Sequence, residues 1–149
     1  MNKVIKKVSA YIVRESVRGY DELLVFSHKD YPDVPVQIPG GTVEDDEDLI
    51  DALKREIYEE TGLTDYSIIK ELGEVFYTNE VKEKYNRHFY LLRVPETTLD
   101  TWDHEVSGKG EDNGLIFTYF WYGHQEVFSI YKRDCQFLSR EFIPSLFPK

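Results

Sequence analysis

The stretch GTVEDDEDLIDALKREIYEETGL, Gly41 to Leu63, decides how this chain is read. Placed on a helix of 3.6 residues per turn, Leu49, Ile50, Leu53 and Ile57 form one apolar stripe, as expected of a helix packed on a core. Glu56 and Glu60 interleave with Leu49 and Leu53 at one margin of that stripe, and Glu59 sits beside Ala52. Glu47, Asp51 and Tyr58 fall on the opposite, solvent side. Like charges three or four residues apart cost roughly 0.2–0.5 kcal/mol per pair even when exposed. Partial burial beside leucines raises that cost unless the carboxylates are paired or hold a metal. An all-oxygen donor set suits a hard cation such as Mg2+ or Mn2+, which also binds phosphates. The alternative is a plain solvated acidic helix. In that alternative the first-turn Glu47 and Asp48 simply complement the helix N-terminus; it suits Asp45, Asp46 and Asp48, but not Glu56, Glu59 and Glu60.

The segment resembles the Nudix box, G-x5-E-x7-R-E-U-x-E-E-x-G-U with U a bulky aliphatic residue. The match covers Gly41, Glu47, Arg55, Glu56, Ile57, Glu59, Glu60, Gly62 and Leu63, and Gln37-Ile38-Pro39-Gly40-Gly41 looks like the family's entry to the box. Nine fixed positions at the right spacing make a far more specific signal than a lone glycine motif.

The resemblance to this MutT-like family implies roles at the matching positions. Glu56, Glu59 and Glu60 would ligate the metal, with the Gly40 or Gly41 carbonyl as a further ligand. Arg55 would pair with one of these glutamates and orient it. Glu47 would support the site at longer range, and Gly62 would take the left-handed conformation that ends the helix. The implied activity is a pyrophosphatase reaction, hydrolysis of a nucleoside diphosphate linked to another moiety, with Glu59, Glu60 and Arg55 in the catalytic set. The base that takes the proton from water varies within the family. Here the loop Gly108–Gly114 offers Glu111, with Asp112 and Glu105 behind it, and Glu60 is the alternative.

The 149 residues suffice for one domain, 1–149, with a real core. A net charge of −10 argues against non-specific nucleic-acid or anionic-membrane binding, leaving a 5′-phosphorylated RNA end as the one nucleic-acid substrate still open. It also poses a question, because the implied substrate is itself a polyanion. A single cysteine, Cys135, and a start without a long apolar run fit a cytoplasmic protein with no leader or anchor. A homodimer stays open.

Alternation and β-propensity predict strands at Lys6–Val13, Glu22–Phe26, Val34–Ile38, Tyr66–Tyr77, Arg87–Val94 and Leu115–Trp121. Helices are predicted at Glu47–Thr61 and Asp134–Leu146. The mixture reads as α/β, and the resemblance implies an α/β/α sandwich with a central mixed β-sheet. Arg87 and Lys109 are candidates to bind substrate phosphates beside Gly41. Alternation puts Arg87 and Arg93 on the strand face opposite His88 and Tyr90. His28 reads as structural. Tyr77, Tyr90, Phe117, Phe120 and Trp121 could build a base-stacking wall. The proline that marks ADP-ribose hydrolases downstream of the box is absent before Pro95, and Tyr77 is a weak match to a dinucleoside polyphosphate marker. A free nucleotide, a dinucleoside polyphosphate and an RNA end therefore stay open, as does a binding or regulatory module without turnover.

Overall fold

The structure is a computed structural model that describes residues 3–148; residues 1 and 2, within the start expected to lack a leader, and residue 149 lie outside the described residues. In chain order its elements are β1 (Val4–Glu15), β2 (Asp21–His28), β3 (Gly40–Thr42), α1 (Leu49–Thr61), β4 (Ser67–Thr78), β5 (Lys84–Arg93), β6 (Trp102–Glu105) and β7 (Ile116–Tyr122). The strands form one seven-stranded sheet in the order β4-β5-β1-β2-β7-β6, with β3 joined to β1. Only β1 and β5 run parallel; the remaining pairs are antiparallel, which makes the sheet mixed.

One irregularity in this sheet creates the site. β1 pairs with β2 only through Val13–Glu15, and its earlier residues Lys7–Ser9 pair with β3 instead. The segment from Gln37 to Thr42 is thus wedged into the opening between β1 and β2. Gln37 bridges to Phe26, and the Ala10 N–H donates to the Pro39 carbonyl at 2.9 Å. The regular strand expected at Val34–Ile38 is reduced to that single bridge, because Pro35 and Pro39 remove two ladder donors.

β1 is buried from Val8 to Arg14 and separates two cores. On one face Val8, Ala10, Ile12, Tyr90 and Leu92 pack against Ala52, Leu53 and Ile57 of α1. On the other face Tyr11, Val13, Phe89 and Leu91 pack against Val127, Ile130, Leu138, Ile143 and Leu146. That second layer corrects the expected helix at Asp134–Leu146, for the tail folds as short 3₁₀ turns at Val127–Ser129, Lys132–Cys135 and Pro144–Leu146. Most of its backbone hydrogen bonds are local turn bonds, and several groups a helix would use are taken by tertiary partners. The Tyr11 hydroxyl donates to the Asp134 carbonyl (2.6 Å) and accepts from the Phe137 N–H (3.1 Å). Pro144 removes a further donor. The apolar spacing of Phe137, Leu138, Phe142 and Ile143 marked residues that do pack on this core, Leu138 and Ile143 fully and the two phenylalanines in part, but it did not mark the local geometry.

No helix among the described residues is long and apolar enough to cross a membrane.

Candidate active site

The helix that carries the glutamates is fixed at both ends. Asp48 is the N-cap, its carboxylate accepting from the Ile50 N–H at 3.1 Å. Gly62 takes φ +78°, and its N–H donates to the Tyr58 carbonyl. The carbonyls that a helix C-terminus leaves without partners are satisfied from β6, β7 and the loop between them. His104 Nε2 and the Ser107 N–H meet the Glu59 carbonyl at 3.0 and 3.1 Å. The Tyr119 hydroxyl donates to the Glu60 carbonyl at 2.8 Å, and Trp102 Nε1 donates to the Thr61 carbonyl at 3.0 Å. These contacts set the height and rotation of the turn that bears Glu56, Glu59 and Glu60. Neither β6 nor this clamp is signalled by local sequence, because each contact joins residues more than forty positions apart.

Glu60 is 5% exposed, and its Oε1 accepts the Gly40 N–H at 3.0 Å. Glu56 lies directly over Gly41, so closely that a Cβ on that glycine would collide with its carboxylate. Close approach, not loop flexibility, is what residue 41 requires. Arg55 is the hub. Its guanidinium donates to both carboxylate oxygens of Glu47 (Nε and Nη2, each 2.8 Å) and to the Thr42 carbonyl (2.9 Å). Nη1 reaches Glu56 (2.9 Å) and Glu59 (3.2 Å). Glu47 meets Arg55 directly and reaches Glu56 and Glu59 only through that guanidinium. The wheel misplaced it on the solvent side because α1 begins at Leu49, after Glu47.

The electrostatics of this group are unbalanced. Burial first, then neighbouring Glu59, pushes the Glu56 carboxyl up to about 7, against the pull of Arg55. Glu60 is driven well above the usual carboxylate range by burial and by Glu56, Asp112 and Glu59. Arg55 is held more firmly charged, chiefly by Glu47. No Lys or Arg lies within salt-bridge distance of Glu60 among the described residues. Four carboxylates, Glu47, Glu56, Glu59 and Glu60, set against the single ion-paired cation Arg55 and partly buried beside the glycine backbone, make a donor set that fits a hard divalent cation. Arg55 Nη1 is shared between Glu56 and Glu59.

The loop before β7 borders the same carboxylates: Gly108 abuts the Glu59 carboxylate. Asp112 acts electrostatically on Glu60, whereas Glu111 acts on Lys7. Lys109 is exposed on this loop. Arg87 is 4% exposed on the sheet face away from α1, its Nη1 donating to Ser9 Oγ (2.7 Å) and its Nε to the Tyr77 hydroxyl (3.2 Å). Arg93 shares that face and is absorbed by an ion pair with Asp21. His88 and Tyr90 lie on the α1 side. Of the expected aromatic wall, Tyr90 and Phe117 are core, 4% and 1% exposed. His28 packs against Phe26 and Phe117. The sequence reading missed Lys7 and Arg133, which stand near Arg87; the alternation of β1 placed Lys7 on that face, but nothing in it marked a site.

Elsewhere, Glu71, Glu74 and His88 bring three donor atoms within 4.8 Å of one another, a spacing not met by the box glutamates. This trio lies across β4 and β5. It closes on itself, His88 Nδ1 meeting Glu71 at 3.1 Å and Nε2 meeting Asn86 Oδ1 at 2.7 Å, and both glutamates are exposed. Two surface clefts, one around Arg14, Tyr20, Trp121 and His124, the other around Arg18, Arg93 and Pro144, touch no residue of Gly41–Leu63.

A family model described as NUDIX domain matches residues 5–146. The chain is 37% identical over 102 residues to human (Homo sapiens) diphosphoinositol polyphosphate phosphohydrolase 3-beta, an alignment covering 68% of this chain and 58% of that protein. The chain thus spans little more than half the length of the curated relatives it matches. Among solved structures, a C. elegans Ap4A hydrolase binary complex superposes with a TM-score of 0.63 at 21% identity, covering 87% of this chain and 89% of that one. The E. coli dihydroneopterin triphosphate pyrophosphohydrolase superposes with a TM-score of 0.66 at 16% identity, covering 95% and 99%. At these identities the structural matches establish the fold.

Proposed function

Because the chain belongs to the Nudix family, we propose that it is a divalent-cation-dependent pyrophosphohydrolase. Its substrate class is a nucleoside diphosphate joined to another moiety, for example a nucleoside triphosphate or a dinucleoside polyphosphate. The observation that carries this reading is the burial of Glu60 and Glu56 without enough positive charge to balance them, against the backbone of Gly40 and Gly41.

Glu56, Glu59 and Glu60 would hold Mg2+ or Mn2+, with the Gly40 carbonyl as a further ligand. When bound, the cation supplies charge that neutralises phosphate oxygens and lowers the pKa of the attacking water. Arg55 keeps Glu56 and Glu59 oriented while Glu47 anchors its other edge. The narrow backbone at Gly41 lets a phosphate approach the carboxylates. Glu111, with Asp112 beside it, takes the proton of the attacking water; Glu60 is the other carboxylate in reach. Lys109 and Arg87 meet substrate phosphates.

Product release from a panel of nucleoside triphosphates, nucleotide sugars, ADP-ribose, dinucleoside polyphosphates and 5′-triphosphorylated RNA, with Mg2+ or Mn2+ and then with EDTA, tests the reading. Cleavage of one class that stops with chelator and with Glu59→Gln supports it. Tight nucleotide binding with no turnover in any arm replaces it with a binding or regulatory module.

A further inference from the structure

The chain carries 28 Asp and Glu against 18 Lys and Arg, yet it gathers three cations, Lys7, Arg87 and Arg133, around one buried carboxylate, Asp134. Lys7 and Arg87 are register partners in the parallel β1–β5 pair, and both point away from α1. Arg87 is 4% exposed, and Lys7 is half-buried. Neither lies within salt-bridge distance of an acid among the described residues. Their hydrogen bonds go to neutral hydroxyls: Lys7 Nζ to Thr42 Oγ1 at 2.6 Å, and Arg87 to Ser9 and Tyr77. Arg133 faces them from the tail, held over the Tyr131 ring at 4.8 Å and by its Nε to buried Asp134 at 3.1 Å. Burial and mutual repulsion among these three lower the proton affinity of Lys7 and of Arg87.

Among the described residues Lys7 and Arg87 have no ion-pair partner and Arg133 has Asp134 alone; partly buried positive charge in such excess is costly and persists where a ligand supplies the missing charge. Tyr77 and Tyr85, stacked at 5.1 Å, form the outer wall, and Lys7 lies 5.9 Å from the Tyr85 ring. Lys7 is also the cation that feels Glu56 and Glu111, so this cluster adjoins the carboxylate site.

Resting on the pyrophosphohydrolase reading above, we infer that Lys7, Arg87 and Arg133 form a phosphate cradle for the uncleaved part of the substrate. The substrate class is therefore one that carries at least one phosphate group beyond the diphosphate that is cut. Guanidinium forks and an ammonium on one sheet face suit a phosphate chain or several phosphate monoesters. The cradle also answers how a chain of net charge −10 receives a polyanion: the positive charge is concentrated where the substrate lies.

The test uses Lys7→Met and Arg133→Met, singly and together, because both positions are less buried than Arg87; thermal melts verify folding. Kinetics compare a dinucleoside tetraphosphate with ADP-ribose, which carries only the diphosphate. The double variant should lose about 10–100-fold in kcat/KM on the tetraphosphate, mainly through KM, with little loss on ADP-ribose. Equal losses on both, or none, overturn the cradle. Inorganic tripolyphosphate binding by calorimetry in EDTA is a second readout that needs no turnover. Wild-type binding that weakens by about tenfold or more in the double variant supports the cradle. No binding, or binding unchanged in the double variant, overturns it. Tripolyphosphate binding lost in the double variant, with no hydrolysis of any substrate, keeps the cradle and removes the hydrolase reading. Hydrolysis abolished by Glu60→Gln but indifferent to both cradle variants does the reverse.

Discussion

Glu60→Gln removes one negative charge from the least solvated carboxylate of the site while preserving shape and the oxygen that accepts the Gly40 N–H. In the metal-free protein that charge is a liability. Burial and the neighbouring Glu56, Asp112 and Glu59 raise the folded-state carboxyl well above its usual value near 4.5. The folded state therefore holds a proton that the unfolded chain has already released. Stability contributed by this group is present at low pH and declines as pH rises from about 4.5 upward. In EDTA the wild type should lose stability between pH 5 and 8, and the variant should lose less, so the gap between them widens with pH. Glu56, up to about 7, contributes to the decline in both proteins. Metal reverses the ranking. At a hundred times its Kd, Mn2+ adds about 2.7 kcal/mol to the wild type, or about 5–11 °C in Tm for a domain of this size. A hundredfold loss of affinity at the same concentration leaves the variant about 0.4 kcal/mol, or about 1–2 °C. Thermal melts across pH, in EDTA and then in Mn2+, measure all of this. A variant that keeps the full Mn2+ shift, or a wild type that gains stability from pH 5 to 8 in EDTA, would refute the argument from burial.

Arg55→Lys leaves an ammonium that cannot span Glu47, Glu56 and Glu59 together, so Mn2+ affinity measured by calorimetry should fall about 10–100-fold. Gly62→Ala puts a Cβ at φ +78° and 3.0 Å from the His104 ring, costing about 1–2 kcal/mol in denaturant melts. Trp102→Phe keeps the ring stacked on Tyr119 but drops the N–H to the Thr61 carbonyl; about 1 kcal/mol should be lost, and an unchanged midpoint would mean the clamp contributes nothing. Leu146→Ala, a fully buried residue of the tail's last 3₁₀ turn, should cost about 2–5 kcal/mol, which would establish that the 3₁₀ layer is part of the folded core.

Periodicity and spacing made α1 and the long strands β1, β2, β4, β5 and β7 legible in the sequence, because those features depend on residues within a few positions of one another, and the resemblance to the Nudix box implied the cap at Gly62. The chemical character of Glu56, Glu59 and Glu60 was legible for the same reason: a helix fixes their mutual placement. What lies around them was not. Lys7 and Arg87, eighty positions apart, meet only because β1 and β5 pair in parallel at that register, and Arg133 joins them only because the tail crosses the far face. The tail's apolar spacing suggested a helix, but the Tyr11 hydroxyl takes the Asp134 carbonyl and the Phe137 N–H, and the Asp134 carboxylate is spent on the Ile38 N–H. Local pattern determined which residues are buried and which glutamates face together. The split edge of β1 and the parallel crossover decided what surrounds them, since long-range pairing is set by the packing of whole elements and leaves no periodic mark on any one segment.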